Sequence, residues 1–102
     1  MYKLIVFVPN KYLDKVRSAI WEAGAGKLGN HYDLCSFACE GVGTFRPLKG
    51  AKPFIGKAGK LTKVKEFRLE VIVKRSDLKK VIIALKKAHP YEEPAYEIYQ
   101  LY

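Results

Sequence analysis

Apolar residues crowd the start of the chain. From Tyr2 to Val8, Leu4, Val6 and Val8 alternate with Ile5 and Phe7, a run rich in β-branched and aromatic residues that predicts a first strand. Because both of its faces are apolar, both must be covered. Next, Leu13, Val16, Ile20 and Ala23 fall at helical spacing and predict a first helix, with Asn10 as its N-cap and Gly24 and Gly26 as its stop. Residues 32–45 read as a second strand, interrupted by Gly41 and Gly43. A glycine- and proline-bearing loop follows from Pro47 to Lys60. Residues 61–74 make a long third strand, with Phe67, Leu69, Val71 and Val73 on one face and Glu66, Arg68 and Glu70 on the other. Leu78, Val81, Ile82, Leu85 and Ala88 form the buried stripe of a second helix, with Ser76 as its expected cap. Residues 95–102 close the chain as a last strand.

The order βαββαβ, with right-handed crossovers, predicts an α+β ferredoxin-like plait: a four-stranded antiparallel sheet with both helices on one face. With 102 residues, the chain forms a single domain spanning residues 1–102. Two helices can cover only one sheet face. Ile5 and Phe7 therefore point to a face covered by another subunit, and mark the expected oligomer interface.

Charge adds a constraint on partners. The chain carries +9, and the stretch from Arg46 to Lys65 holds seven basic residues and no acid. Such an excess favours anionic ligands. Gly56 and its fellow loop glycines would let backbone N–H groups approach an anion, with Arg46, Lys49, Lys52, Lys57 and Lys60 supplying charge. The alternative is a solvated basic loop. No Gly-Lys-Ser/Thr phosphate loop is present. Nucleic acid is disfavoured, because the third strand lacks the aromatic pattern that stacks bases. The apolar runs are too short to cross a membrane, and Pro9-Asn10 breaks any leader-like pattern, so the expected location is cytoplasmic.

Candidate chemistry concentrates in His89-Pro90-Tyr91-Glu92-Glu93-Pro94-Ala95-Tyr96. Pro90 ends the incoming helix and Pro94 stiffens the exit, so an imidazole and two carboxylates sit on a rigid corner. His89, Glu92 and Glu93, with Glu66 as a further ligand, suit a divalent metal of the zinc, manganese or iron class. The competing reading is a structural corner. Cys35 and Cys39, four apart on a strand, would lie roughly 13 Å apart, beyond the roughly 7 Å reach of a disulfide. No nucleophile-and-base motif surrounds Ser18, Ser36 or Thr44, so no enzymatic activity is expected.

Several separated motifs carry a family resemblance. Gly24-Ala25-Gly26-Lys27-Leu28-Gly29-Asn30, Cys35, Gly41-Val42-Gly43-Thr44-Phe45-Arg46-Pro47, Pro53-Phe54-Ile55-Gly56 and the His89 corner together resemble the YqfO-type domain. That domain occurs alone or inserted in dinuclear-metal proteins of the NGG-interacting-factor-three-like family. His31 departs from the pattern, standing between Asn30 and Tyr32 where the family's tyrosine follows directly. The resemblance implies a plait similar to CutA and the PII signalling proteins, a homotrimer, and a binding or regulatory role for a metal, a small anionic ligand or a protein partner. The metal ligands of the larger proteins lie in flanking domains. The resemblance also leaves open a second role, as an accessory domain that docks on a dinuclear-metal hydrolase.

Overall fold

The computed structural model describes all 102 residues. Four strands, β1 (Tyr2–Pro9), β2 (Phe37–Phe45), β3 (Thr62–Val73) and β4 (Tyr96–Gln100), and two helices, α1 (Leu13–Glu22) and α2 (Leu78–Ala88), follow in the predicted order. The sheet order is β2-β3-β1-β4, and every neighbouring pair is antiparallel. This is the ferredoxin-like plait.

The register sorts the side chains by chemistry. β1 pairs Val6 with Leu69 and Leu4 with Val71, while Ile5 faces Glu70 and Phe7 faces Arg68. One face thus gathers Leu4, Val6, Val8, Leu69, Val71 and Val73 against Val16 and Ile20 of α1 and Val81 and Leu85 of α2. Each of these large apolar side chains contributes about 1.5–3 kcal/mol by leaving water. The other face has no helix over it. Ile5 lies there, outside the core cluster, yet it is only 3% exposed. Glu70 and Glu97 stand opposite it on the two flanking strands. A single chain therefore already covers Ile5, and the part of this face left open lies elsewhere: Phe37 is 64% and Tyr99 50% exposed.

Local boundaries differ from the sequence expectation in three places. Neither helix carries its expected side-chain cap; each begins after a 3-10 turn, Asn10–Tyr12 before α1 and Arg75–Asp77 before α2. Asp77, not Ser76, occupies the capping position of α2, and its carboxylate pairs with Lys80 at 3.2 Å. The second strand begins at Phe37 and not at residue 32. There the Ile72 carbonyl accepts from the Gly26 N–H at 2.8 Å, and the Gly26 carbonyl accepts from Cys35 N–H at 2.9 Å. The connection after α1 thus occupies the ladder position that an earlier start of β2 would need. Leu34, at φ 51°, turns the chain just before the strand begins.

β2 and β3 run on beyond the helices as a long hairpin, giving a molecule 48 × 24 × 24 Å in extent. Pro47 is buried at the hairpin's tip, and the Gly59 N–H donates to its carbonyl at 2.7 Å. The loop between them is therefore closed at its base.

Gly26 and Gly29 separate two costs of losing glycine. Both have positive φ, 81° and 62°, but a Cβ at Gly26 would lie 2.7 Å from the Cys35 carbonyl oxygen and 2.8 Å from the Trp21 ring, while one at Gly29 meets nothing. Gly29→Ala is expected to cost about 1–2 kcal/mol from backbone strain. Gly26→Ala should cost about 1–3 kcal/mol more, from overpacking. Urea denaturation of the two variants checks the difference; equal losses would contradict the packing assigned to Gly26.

Candidate functional site: a cleft beside the His89 corner

α2 ends at Ala88, and His89 leaves the helix with extended backbone while its N–H still bonds the Leu85 carbonyl at 2.9 Å. The side chain then turns inward and is 5% exposed. Its Nδ1 accepts the Tyr91 N–H at 3.1 Å, so the proton of the neutral ring resides on Nε2, which donates to the Phe7 carbonyl at 2.8 Å. Phe7 is where β1 loses β4 as a neighbour while β3 continues beside it. Its N–H makes a last bond to the Ala95 carbonyl at 3.2 Å, and β4 pairs no further than Val6 with Tyr96. The imidazole thus takes over one backbone acceptor that the sheet leaves unpaired. Burial holds the His89 pKa below its ordinary value, and the bond to Phe7 offsets part of that.

Tyr91 carries the corner's geometry onward. Its ring lies 4.9 Å from the imidazole and 6.0 Å from Phe45, and its O–H donates to Glu66 Oε2 at 3.2 Å. Burial, together with the charge of Glu66 and the hydrogen bond to it, pushes the phenol up to about 12. Glu66 pairs with no lysine or arginine; the ion pairs on this face are Lys3–Glu70 and Arg68–Glu70. Gly43 makes room for Glu66, because a Cβ there would overlap Glu66 Oε1.

Above these groups the loop after β2 folds back. Phe54 meets Tyr12 edge-on at 5.4 Å, and the Lys52 N–H donates to Glu92 Oε1 at 3.1 Å. Between loop, corner and open sheet face lies a cleft of about 610 Å³, formed by Phe7, the end of β2 through Leu48, the loop at Ala51 and from Pro53 to Ile55, Glu66, and the corner from Tyr91 to Glu93 with Ala95. A smaller hollow of about 290 Å³ continues along the sheet past Cys39 and Arg68, sharing Phe7, Gly43 and Glu66 with the first.

The expected site residues distribute as follows. Glu66, Glu92, Glu93, Arg46 and Phe7 all line the cleft. Lys49, Lys52, Lys57, Lys60 and Gly56 do not; they stand exposed around it. The fully solvated loop weighed from sequence is instead tied down through Pro47, Lys52 and Phe54. His89 lies behind the cleft and uses both ring nitrogens, leaving no lone pair for a cation. No group of three or more His, Cys, Asp and Glu residues is placed to hold a metal ion, so the four expected ligands do not fit a metal centre within one chain. Cys35 and Cys39 are free thiols. Sequence reasoning missed Tyr91, Phe45 and Phe54 as cleft residues. Tyr91 stood inside the marked corner, but its bond to Glu66 joins residues 25 positions apart.

Comparison with known proteins places this architecture. No family model matches the chain. It is 52% identical over 101 residues to the GTP cyclohydrolase 1 type 2 homolog of Halalkalibacterium halodurans, covering 99% of this chain and 27% of that protein. The Bacillus subtilis protein of the same name is 54% identical over 97 residues, 95% of this chain and 26% of its own length. The crystal structure of a Bacillus cereus protein related to NIF3 superposes with a TM-score of 0.84 at 45% identity, over 98% of this chain and 25% of that one. Nearly the whole chain is thus similar to one part of these NIF3-related proteins, in keeping with the resemblance carried by its motifs. It spans about a quarter of the length of these relatives. CutA1 from Pyrococcus horikoshii shares the fold alone, with a TM-score of 0.71 at 16% identity over 99% of this chain and 83% of that one. No helix of the chain is long and apolar enough to cross a membrane.

The buried imidazole makes stability depend on pH. Its folded pKa lies below 6.5, so the unfolded chain takes up a proton more readily between the two values. The contribution is full above pH 6.5 and is lost as pH falls from there through the folded pKa. Urea midpoints at a series of pH values should fall more steeply for the native protein than for His89→Gln over that window. Parallel slopes would contradict the neutral, doubly bonded ring.

Proposed function

We propose that this domain is a binding and regulatory module, not a catalyst, that works as a homotrimer with the open sheet faces turned toward one another. The observation that carries the reading is the cleft. Five separate stretches of chain converge on it, it lies on the face that no helix covers, and its volume falls within the range of small-molecule sites. The exposed Phe37 and Tyr99 on the same face support burial against further copies of the chain. Similarity to CutA supports the trimer.

A second reading is favoured by the lengths of the relatives. This chain corresponds to about a quarter of proteins called GTP cyclohydrolase 1 type 2 homologs. In that reading the module docks on a dinuclear-metal hydrolase of the family and governs access to it, and any reaction belongs to the larger partner. The basic loop around the cleft rim is the contact surface for that partner.

Native mass spectrometry with metal analysis of the same sample tests the assembly. A trimer is expected. Phe37→Lys, at an exposed position outside the core, should convert it to monomers with an unchanged circular dichroism spectrum. A variant that remains trimeric would contradict assembly through the open face. Stoichiometric metal lost on His89→Ala would contradict the structural role of the imidazole.

A further inference from the structure

The charge inside the cleft is opposite to the charge of the chain. The molecule carries +9, yet the cleft is lined by Glu66, Glu92 and Glu93 against the single guanidinium of Arg46. Glu92 is partly engaged by the Lys52 N–H, and Glu93 is exposed at the rim. Glu66 is the carboxylate at the floor, half-buried, with Tyr91 O–H as its hydrogen-bond partner and no cation beside it. The walls are aromatic and apolar, with Phe7, Phe45 and Phe54 among them.

We infer that the cleft takes an organic cation: a primary ammonium carried on an aromatic or apolar body. This rests on the reading of the cleft as a ligand site and deepens it. An ammonium at Glu66 would donate a charge-assisted bond to the carboxylate in a partly desolvated place, where such bonds are strong. The body of the ligand would stack among the phenyl rings, whose faces also attract cations. A bare divalent metal is disfavoured, because no group of three metal-ligating side chains converges there. An anion would find Arg46 but meet three carboxylates, and the lysines that would welcome it stand outside. Tyr91 fits the same assignment. With its phenol pushed up to about 12, it stays protonated and leaves the second oxygen of Glu66 as an acceptor.

Titration calorimetry of the intact protein with tryptamine and with indole-3-propionate distinguishes the possibilities. The two probes share an aromatic body and differ in the sign of their charge. Tryptamine is expected to bind, and Glu66→Gln, which keeps an acceptor for Tyr91 but removes the charge, should weaken it about tenfold. Tryptamine binding unchanged by Glu66→Gln would overturn the inference. Indole-3-propionate binding as tightly as tryptamine would overturn the cationic class while leaving the cleft a ligand site. Heat from neither probe at millimolar concentration would overturn both the class and the cleft as a small-molecule site.

Discussion

The hydrogen bond from His89 Nε2 to the Phe7 carbonyl joins parts of the chain that are 82 residues apart, and the functional end of the molecule depends on it. A plait ends its central strand with backbone groups that its neighbour no longer reaches. Here β4 begins only at Tyr96, and the imidazole supplies the donor that the Phe7 carbonyl would otherwise lack. A buried carbonyl without a partner costs free energy comparable to a lost hydrogen bond. One side chain therefore ties the end of α2 to β1 where β4 stops pairing with it, and sets where Tyr91 sits.

The cleft follows from that placement. Tyr91 is held by its own N–H on His89 Nδ1 and reaches Glu66 with its O–H. Glu66 in turn needs the space that Gly43 leaves open. Loop residues close the other side through Phe54 on Tyr12 and Lys52 on Glu92. The site thus stands on helix, strand and loop together. Its acidic lining sits beneath a basic exterior, so the pocket and the surface around it differ in the sign of their charge.

Periodicity made the fold legible. Two strand faces in Tyr2–Val8, two helical stripes and the alternation along β3 each specified an element and its buried side, because burial of one face is a local pattern repeated many times. The helix starts were less legible, since Asn10 and Ser76 are good caps that the chain passes over in favour of 3-10 turns. The late start of β2 depends on Gly26 reaching Ile72, a contact that no local pattern announces. The corner could be located from its prolines and charges, but its role could not be read from them. Imidazole beside carboxylates suggests metal chemistry by composition, whereas the actual partners of His89 are backbone groups, one of them on another strand. Ile5 shows the same limit. An apolar residue on the face without a helix suggests a partner subunit, yet Ile5 is only 3% exposed in the single chain, between Glu70 and Glu97 of the flanking strands.

The claim on which the rest stands is the tautomer and neutrality of His89. Long-range nitrogen–proton correlation spectroscopy of the labelled imidazole reports both directly. The account predicts a single Nε2–H tautomer whose titration lies below the ordinary histidine value of 6.5. An Nδ1–H tautomer, or a ring that titrates at or above that value, would contradict it.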